Sequence, residues 1–455
     1  VTDFILEDLS DDEAPTPDGD AVKLEDFYAD MKSRSYIYVP AREMWPGASV
    51  DARVPPVPVL KSNGQPELDE KGRPKKIAAS KWLAKRRPVE QLTWALGHPL
   101  LIRDRLITDG GWIEHRGASV FNLYLAPTVE LGDRAQVGPW LDHIKRIYPA
   151  EADHIVKWLA HRRQRPNEKI NHALVLGGSQ GIGKDTLLEP AKHAVGHWNF
   201  SEVSPKQMLG RFNGFAKSVI LRISEARDLG EIDRFAFYDH SKVYTASPPD
   251  VLRIDEKNLR EYSAINVCGI IITTNHKTDG IYLTPDDRRH FVAWSDASKE
   301  DFNPEYWNRI YRWYADGGNQ HVTAYLDSFN LADFDAKAPP PKTAAFWEIV
   351  DTGRAPEDAE LADLLDSLGS PDAVPLSRLA SAAYGDHAAI GEFLRERRNR
   401  RVIPHRMETC GYSPVRNSDA KDGLWKIRGR REAVYGRQGL SERDRYAAAR
   451  QLALE

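Results

Sequence analysis

Cysteine is nearly absent from this chain: Cys268 and Cys410 are the only two in 455 residues, and they lie far apart. Two thiols so placed exclude a disulfide framework and the paired spacing of a zinc site, and they read as free thiols of a reducing compartment. No apolar run reaches the roughly eighteen residues of a membrane-spanning helix. The stretch Val1 to Asp20 is acidic, where a secretory leader would be basic and then apolar. These absences predict a cytoplasmic protein without a membrane partner. A strong excess of one charge is missing too, with 63 Lys and Arg against 67 Asp and Glu for a net charge of -4. An acidic tail can mask a basic channel in such a sum, so local charge has to decide about acidic partners.

At 455 residues the chain exceeds what one hydrophobic core usually serves, and two or three domains are expected. Residues 1–30 open with Asp3, Glu7, Asp8, Asp11 and Asp12 among few large apolar groups, a composition expected to stay disordered. Residues 31–165 are assigned to a small N-terminal or collar domain. Within it, Lys61 to Arg87 is polar and basic, either a solvated linker or a phosphate-contacting arm. Trp94 to Tyr124 alternates around Asp109, Gly110 and Gly111, which predicts a β segment, and Trp140 to His161 has helical spacing. Across residues 166–300 strands and helices alternate, the pattern of an α/β fold with a parallel sheet. Residues 301–340 read as a helical connector, and residues 341–455, after the prolines Pro339 to Pro341, as a separate C-terminal unit.

The sharpest motif is Gly178, Ser179, Gln180, Gly181, Ile182, Gly183 and Lys184, which fits G-x-x-x-x-G-K between an apolar strand and a helix. Glycines let the backbone curl so that amides face phosphate oxygens, and the helix N-terminus adds its positive dipole end. Lys184 then reaches the β and γ phosphates of ATP. Asp185 stands where Ser or Thr normally binds Mg2+, and Thr186 follows it. Either Asp185 or Thr186 is a candidate for the metal, and the residues alone do not choose.

A hydrolysing site also needs a carboxylate to orient water. The apolar strand Val219 to Ile223 runs through Ser224 into Glu225, the candidate catalytic base and a further candidate metal contact. Ser224 replaces the acid usually found just before it. A second apolar strand, Ile270 to Thr274, ends in Asn275, a candidate sensor of the γ phosphate or of the attacking water, or else an ordinary turn cap. Arg288 and Arg289 follow Asp286 and Asp287, and either arginine can serve as a finger across a subunit boundary or simply pair with those acids.

Phosphate loop, Glu-ended strand, Asn-ended strand and arginine pair resemble the superfamily 3 helicases, more closely the primase-helicases of phages and integrated mobile elements. The likeness covers about residues 90 to 300 and rests on GGSQGIGKDT, ILRISEA, IITTNH and DDRRHFV. It implies an AAA-like P-loop ATPase core in a hexameric ring that pulls single-stranded DNA through a pore during replication. It also implies a pore hairpin between the Glu and Asn strands. Lys242 to Asn258 fills that interval, with Ser247, Pro248 and Pro249 as the turn and Lys242, Arg253 and Lys257 as phosphate-tracking candidates. No priming activity is expected, because the N-terminal segment lacks a metal-binding carboxylate set.

In the C-terminal unit, Leu376 to Tyr384 and Ala388 to Arg398 read as two helices. A polar loop and the strand-like Gly423 to Ile427 come next, then Arg428, Arg430 and Arg431. That outline predicts a winged-helix-like domain on duplex DNA, with a solvated helical cap on the ring as the rival. For the whole chain the alternative is an ATP-dependent DNA-binding or loading protein that hydrolyses slowly at an imperfect metal site. A small-molecule kinase would leave Asn275, the arginines and the basic C-terminal unit without a role.

Overall fold

In the computed structural model, the residues described are 22–224, 231–277, 281–352, 356–384, 388–396, 399–400 and 403–454. They divide into two compact units. The first holds the described residues up to 229 with 233–276 and 286–343, and the second holds 344–455 with 230–232 and 277–285.

The first unit begins with an antiparallel sheet of Phe27–Asp30, Ser35–Tyr38 and Glu43–Trp45, edged by Pro88–Val89 in parallel, so the disorder expected over residues 1–30 does not extend to Phe27 and Ala29, which are buried. Helices Gly47–Arg53 and Ala79–Arg86 close its core on Phe27, Val50, Val54 and Leu83. The basic run Lys61 to Arg87 is therefore more than a linker, since Ala79 and Leu83 within it are buried. The expected β segment around Gly110 is a hairpin of Leu101–Thr108 and Gly111–Asn122, with Gln91–Thr93 added in parallel.

Two helices come next, α1 (Gly138–Ile147) and α2 (Ala152–Gln164), where helical spacing alone gives one. Pro149 explains the break: the residue before a proline is driven out of the α region, and Tyr148 closes α1 at φ -130°, ψ 69°. Both helices are pinned to the chain around the first strand of the central sheet. The Tyr148 hydroxyl donates to the Gly177 carbonyl at 3.0 Å, and Trp158 Nε1 donates to the His172 carbonyl at 3.2 Å.

The centre is a five-stranded sheet of β1 (Ala173–Gly178), β2 (Phe200–Val203), β3 (Ile220–Ile223), β6 (Gly269–Thr274) and β7 (His290–Ser295). All strands are parallel, in the order β2-β3-β6-β1-β7. Every residue of β1 and β6 is buried, as a parallel sheet covered on both faces requires, which is why these strands read as continuous apolar runs. Helix α3 (Lys184–Val195) leaves the end of β1. Between β3 and β6 come α4 (Glu231–Thr245) and an antiparallel hairpin of β4 (Val251–Ile254) and β5 (Tyr262–Ile265). Helices α5 (Pro304–Trp313) and α6 (Asn319–Ser328) complete the unit.

The second unit starts with α7 (Ala344–Thr352) and α8 (Pro356–Ser367). Strand β8 (Ala373–Pro375), helix α9 (Leu376–Ala382) and helix α10 (Ala388–Arg395) come next. The segment that reads as a polar loop instead holds a further helix, α11 (Ile403–Thr409), and strand β9 (Tyr412–Val415). Ile403 and Met407, four apart on α11, are buried with Leu361, Val374, Leu379 and Ile390. The chain ends in the two-stranded hairpin β10 (Trp425–Ile427) and β11 (Arg430–Glu432), then β12 (Val434–Arg437) and α12 (Glu442–Leu454). Strand β12 lies between β8 and β9, antiparallel to both.

Candidate functional site

Strand β1 runs into the glycine loop, and three of its glycines adopt the left-handed backbone region: Gly178 at φ +138°, Gly181 at +85° and Gly183 at +93°. Gly183 is required twice over. A Cβ there would lie 2.6 Å from the His143 ring and 2.7 Å from Trp307. His143 holds the loop from beneath: its Nε2 donates to the Gly183 carbonyl at 3.0 Å, so its Nδ1 accepts from the Tyr306 hydroxyl at 2.5 Å. Burial keeps this imidazole neutral by lowering its pKa, against the opposing pull of the Gly183 bond.

Helix α3 begins at Lys184, whose side chain folds back under the loop. Its ammonium donates to the carbonyls of Gly178 at 2.7 Å and Ser179 at 2.9 Å, and to Oδ1 of Asn275 at 2.8 Å. The sheet register brings Asn275 there: Gly177 is level with Thr274, so the residue after β6 meets the loop after β1. Burial lowers the Lys184 pKa to about 8; neighbouring Asp185 opposes the shift and Arg222 adds to it.

On the other side of β6, Arg222 of β3 projects into the same cleft. It is bonded to the Asp185 carboxylate, its Nε donates to Thr273 Oγ1 at 3.3 Å, and its Nη1 lies 3.7 Å from Glu202. Asp185 is 77% exposed and Arg222 only 13%. Thr186 is buried, with its hydroxyl 3.0 Å from that of Tyr311 and its carbonyl accepting from Tyr314 at 2.8 Å. Lys184, Asp185, Thr186, Arg222, Thr273, Asn275 and Tyr311 line a cleft of about 380 Å³ that also includes Gln180, Gly181, Gly183 and Trp307. Glu225 lies outside the described residues, while Ser224, just before it, donates its amide to the Val203 carbonyl at 3.0 Å.

The two arginines lie at the other end of the sheet. Ala173 is level with His290 and Gly178 with Ser295, so Arg288 and Arg289 precede the far end of β7. Five strand residues at roughly 3.3 Å each separate them from the loop of their own chain. Nor does the Asp287 carboxylate pair with either guanidinium group. It is buried and accepts from the Arg289 and His290 amides at 2.9 and 3.0 Å, His290 Nδ1 at 3.1 Å and the Tyr238 hydroxyl at 2.8 Å. Burial alone would raise this carboxyl, but the bonds led by His290 hold it well below the usual carboxylate range.

The hairpin lies later in the sequence than the residue spacing implied. Ser247 to Pro249 come after the end of α4, where prolines remove the amides a helix needs, and the hairpin spans Val251 to Ile265. Lys242 is thus on α4, bonded to Asp239 at 2.6 Å and 4.1 Å from the Tyr238 ring centre. Arg253 is on β4 and pairs with Glu261 at 2.6 Å, while Lys257 stands exposed in the turn. The hairpin is tied to the N-terminal strands by Lys32 Nζ to the Glu261 carbonyl at 3.1 Å and Thr93 Oγ1 to the Ser263 carbonyl at 2.9 Å.

Arg222, His143, Tyr306, Trp307 and Tyr311 join the site without being among its sequence candidates. Arg222 had a legible signal, as the charged residue within the apolar run Val219 to Ile223. Trp307 and Tyr311 are four apart and share a helix face, but nothing local says what that face meets. Among the described residues, no cluster of three or more His, Cys, Asp and Glu could hold a metal, and no helix is long and apolar enough to cross a membrane.

A family model described as a family of unknown function (DUF5906) matches residues 176–289, from the end of β1 through the arginine pair. No curated protein matches the chain. Among solved structures, the apo C-terminal region of NrS-1 (305–718) superposes with a TM-score of 0.57 at 16% identity, covering 90% of this chain and 95% of that one. A second apo structure of that region gives 0.53 at 15% identity, over 90% and 96%. The chain therefore shares the fold of the NrS-1 C-terminal region. The JCV helicase is also similar, at 12% identity over 51% of this chain and 65% of that one, but its TM-score of 0.30 is too low to build on.

Proposed function

We propose that this chain is an ATP-driven DNA motor of the superfamily 3 helicase kind, built on a P-loop AAA-like core and working in replication of a phage or mobile element as a hexameric ring. The observation that carries the reading is the position of Lys184, a buried ammonium held by two loop carbonyls and by Asn275 at the C-terminal ends of parallel strands. The residues present fit a nucleotide: three left-handed glycines, of which Gly178 and Gly183 leave no room for a Cβ, a helix N-terminus, and the cations Lys184 and Arg222 in one cleft. When bound, ATP supplies the phosphoanhydride whose cleavage drives movement.

Lys184 neutralises phosphate charge, with Ser179, Gln180, Gly181 and Ile182 forming the cradle between the two end glycines. Asn275 releases Lys184 to the phosphates and orients the γ phosphate or the attacking water. Glu225 is the proposed base. Asp185, exposed beside Lys184, is the better candidate donor to Mg2+ or its water, because the Thr186 hydroxyl is turned to Tyr311. Arg288 and Arg289, remote from their own loop, suit a neighbour's site in a ring. Lys257 is the best placed of the hairpin cations for single-stranded DNA, ahead of Arg253 and Lys242, which already have acidic partners. In the second unit, the exposed Lys426, Arg428 and Arg430 on the β10–β11 hairpin support a winged-helix-like contact with duplex DNA.

One observation favours the second reading, an ATP-dependent loading protein with slow turnover: Arg222 already engages the carboxylate that a metal would need. ATP hydrolysis by the intact chain and by Lys184→Ala, with and without single-stranded DNA, tests both. Stimulation by DNA that disappears in the variant supports the motor. Bound ATP without stimulation supports the loader, and absence of ATP binding removes both.

A further inference from the structure

The cleft has two chemically different sides. Lys184 and Asp185 bond to Asn275 and Arg222, which with Thr273 make a polar side, whereas Gly183 and Thr186 meet Trp307 and Tyr311 of α5, which make an aromatic one. The two rings are 6.1 Å apart and nearly parallel, at 27°. Trp307 is partly buried against Gly183, whereas Tyr311 is 53% exposed with its hydroxyl 3.0 Å from that of Thr186.

We infer that Tyr311, backed by Trp307, is a stacking platform for the nucleobase of the bound nucleotide, which sets the direction in which the nucleotide lies. This rests on the nucleotide-binding reading above. Lys184 and Asn275 draw the terminal phosphates to the polar side, so the base is directed to the aromatic side. Every base has a π face, and an exposed aromatic ring beside a phosphate site is suited to receive it. The Tyr311 hydroxyl has a separate task, holding the ring over Thr186, so ring and hydroxyl can be tested apart.

The experiment is calorimetric titration of the full chain with ATP and, separately, with inorganic tripolyphosphate, for the wild type, Tyr311→Phe and Tyr311→Ala. Tripolyphosphate carries the charge without a base. Tyr311→Ala is expected to weaken ATP about tenfold while leaving tripolyphosphate within about twofold, and Tyr311→Phe to keep most of the ATP affinity. Equal weakening of both ligands by Tyr311→Ala, or weakening of neither, overturns the platform while the phosphate site stands. A wild type that binds neither ligand removes the nucleotide reading and this inference with it. Unchanged tripolyphosphate binding also shows that the variant is folded at the loop.

Discussion

The ammonium of Lys184 lies 2.8 Å from Oδ1 of Asn275, a bond joining the first turn of α3 to the end of β6. It holds the lysine against the glycine loop, where the proposed nucleotide would place its phosphates. Lys184→Ala is expected to abolish ATP binding, measured by titration. Asn275→Ala should retain ATP binding yet lose roughly 10²-fold or more in hydrolysis, because it removes a polar group aimed at the reacting phosphate. Equal loss of binding in both variants would make Asn275 a structural prop.

The same lysine predicts a pH dependence. Burial lowers its pKa from 10.5 to about 8, and phosphate oxygens favour the charged form. ATP affinity should therefore hold below about pH 7 and fall as pH rises through 8, while Lys184→Arg stays flat across that window. For stability the sign is opposite. The unfolded chain binds the extra proton between pH 8 and 10.5, so the cost of burying the ammonium is full below 8 and is relieved as pH rises. Titrations at several pH values check the first claim and thermal unfolding the second.

Arg222 and Asp185 form an ion pair with one partner largely in water. Such a pair contributes at most about 1 kcal/mol, so Arg222→Ala should leave the melting temperature nearly unchanged. The variant should instead free Asp185 and lower the Mg2+ concentration needed for hydrolysis, while Asp185→Asn should raise it. Mn2+ binding followed by electron paramagnetic resonance gives a readout independent of turnover. Opposite shifts in the two variants are the expected signature, and identical shifts would assign the metal to other donors.

Gly183 combines φ +93° with close neighbours in His143 and Trp307 that leave no room for a Cβ. Gly183→Ala should cost on the order of 1–3 kcal/mol and lose nucleotide affinity as well. A variant with unchanged unfolding in denaturant would show that the loop yields more readily than its packing suggests.

The β10–β11 hairpin turns at Arg428 and Gly429, both at positive φ, and presents Lys426, Arg428 and Arg430 to solvent. Replacing these three by Ala should flatten the slope of log affinity against log salt for duplex DNA by roughly two to three, about one for each phosphate no longer neutralised. An unchanged slope would count against the winged-helix reading. Arg406 is a poor target for such a test, because it is buried beside Asp358 at 2.9 Å.

Much of the central sheet is legible in the sequence because its signals are local. Apolar runs bounded by glycines or polar tips mark β1, β3 and β6, and the loop motif marks the start of α3. Local signals fail where a boundary depends on partners elsewhere. Ser247 to Pro249 look like a turn, which puts the hairpin too early, and in the fold they only separate α4 from β4. Helix α11 escapes a local reading because its charged surface hides the buried pair Ile403 and Met407, which are recognisable only once the unit's other helices are present.

By itself the sequence determined the glycine loop, the strands that carry it and the identity of Lys184 and Asn275 as candidates, since backbone freedom and strand burial are written in residue type and spacing. Only the tertiary structure decided that Lys184 meets Asn275, that Asp185 is paired with Arg222, and that Arg288 and Arg289 lie away from their own loop. It also brought Trp307 and Tyr311 to the cleft across more than a hundred residues of chain, because strand order and helix packing, which join distant segments, are properties of the whole fold.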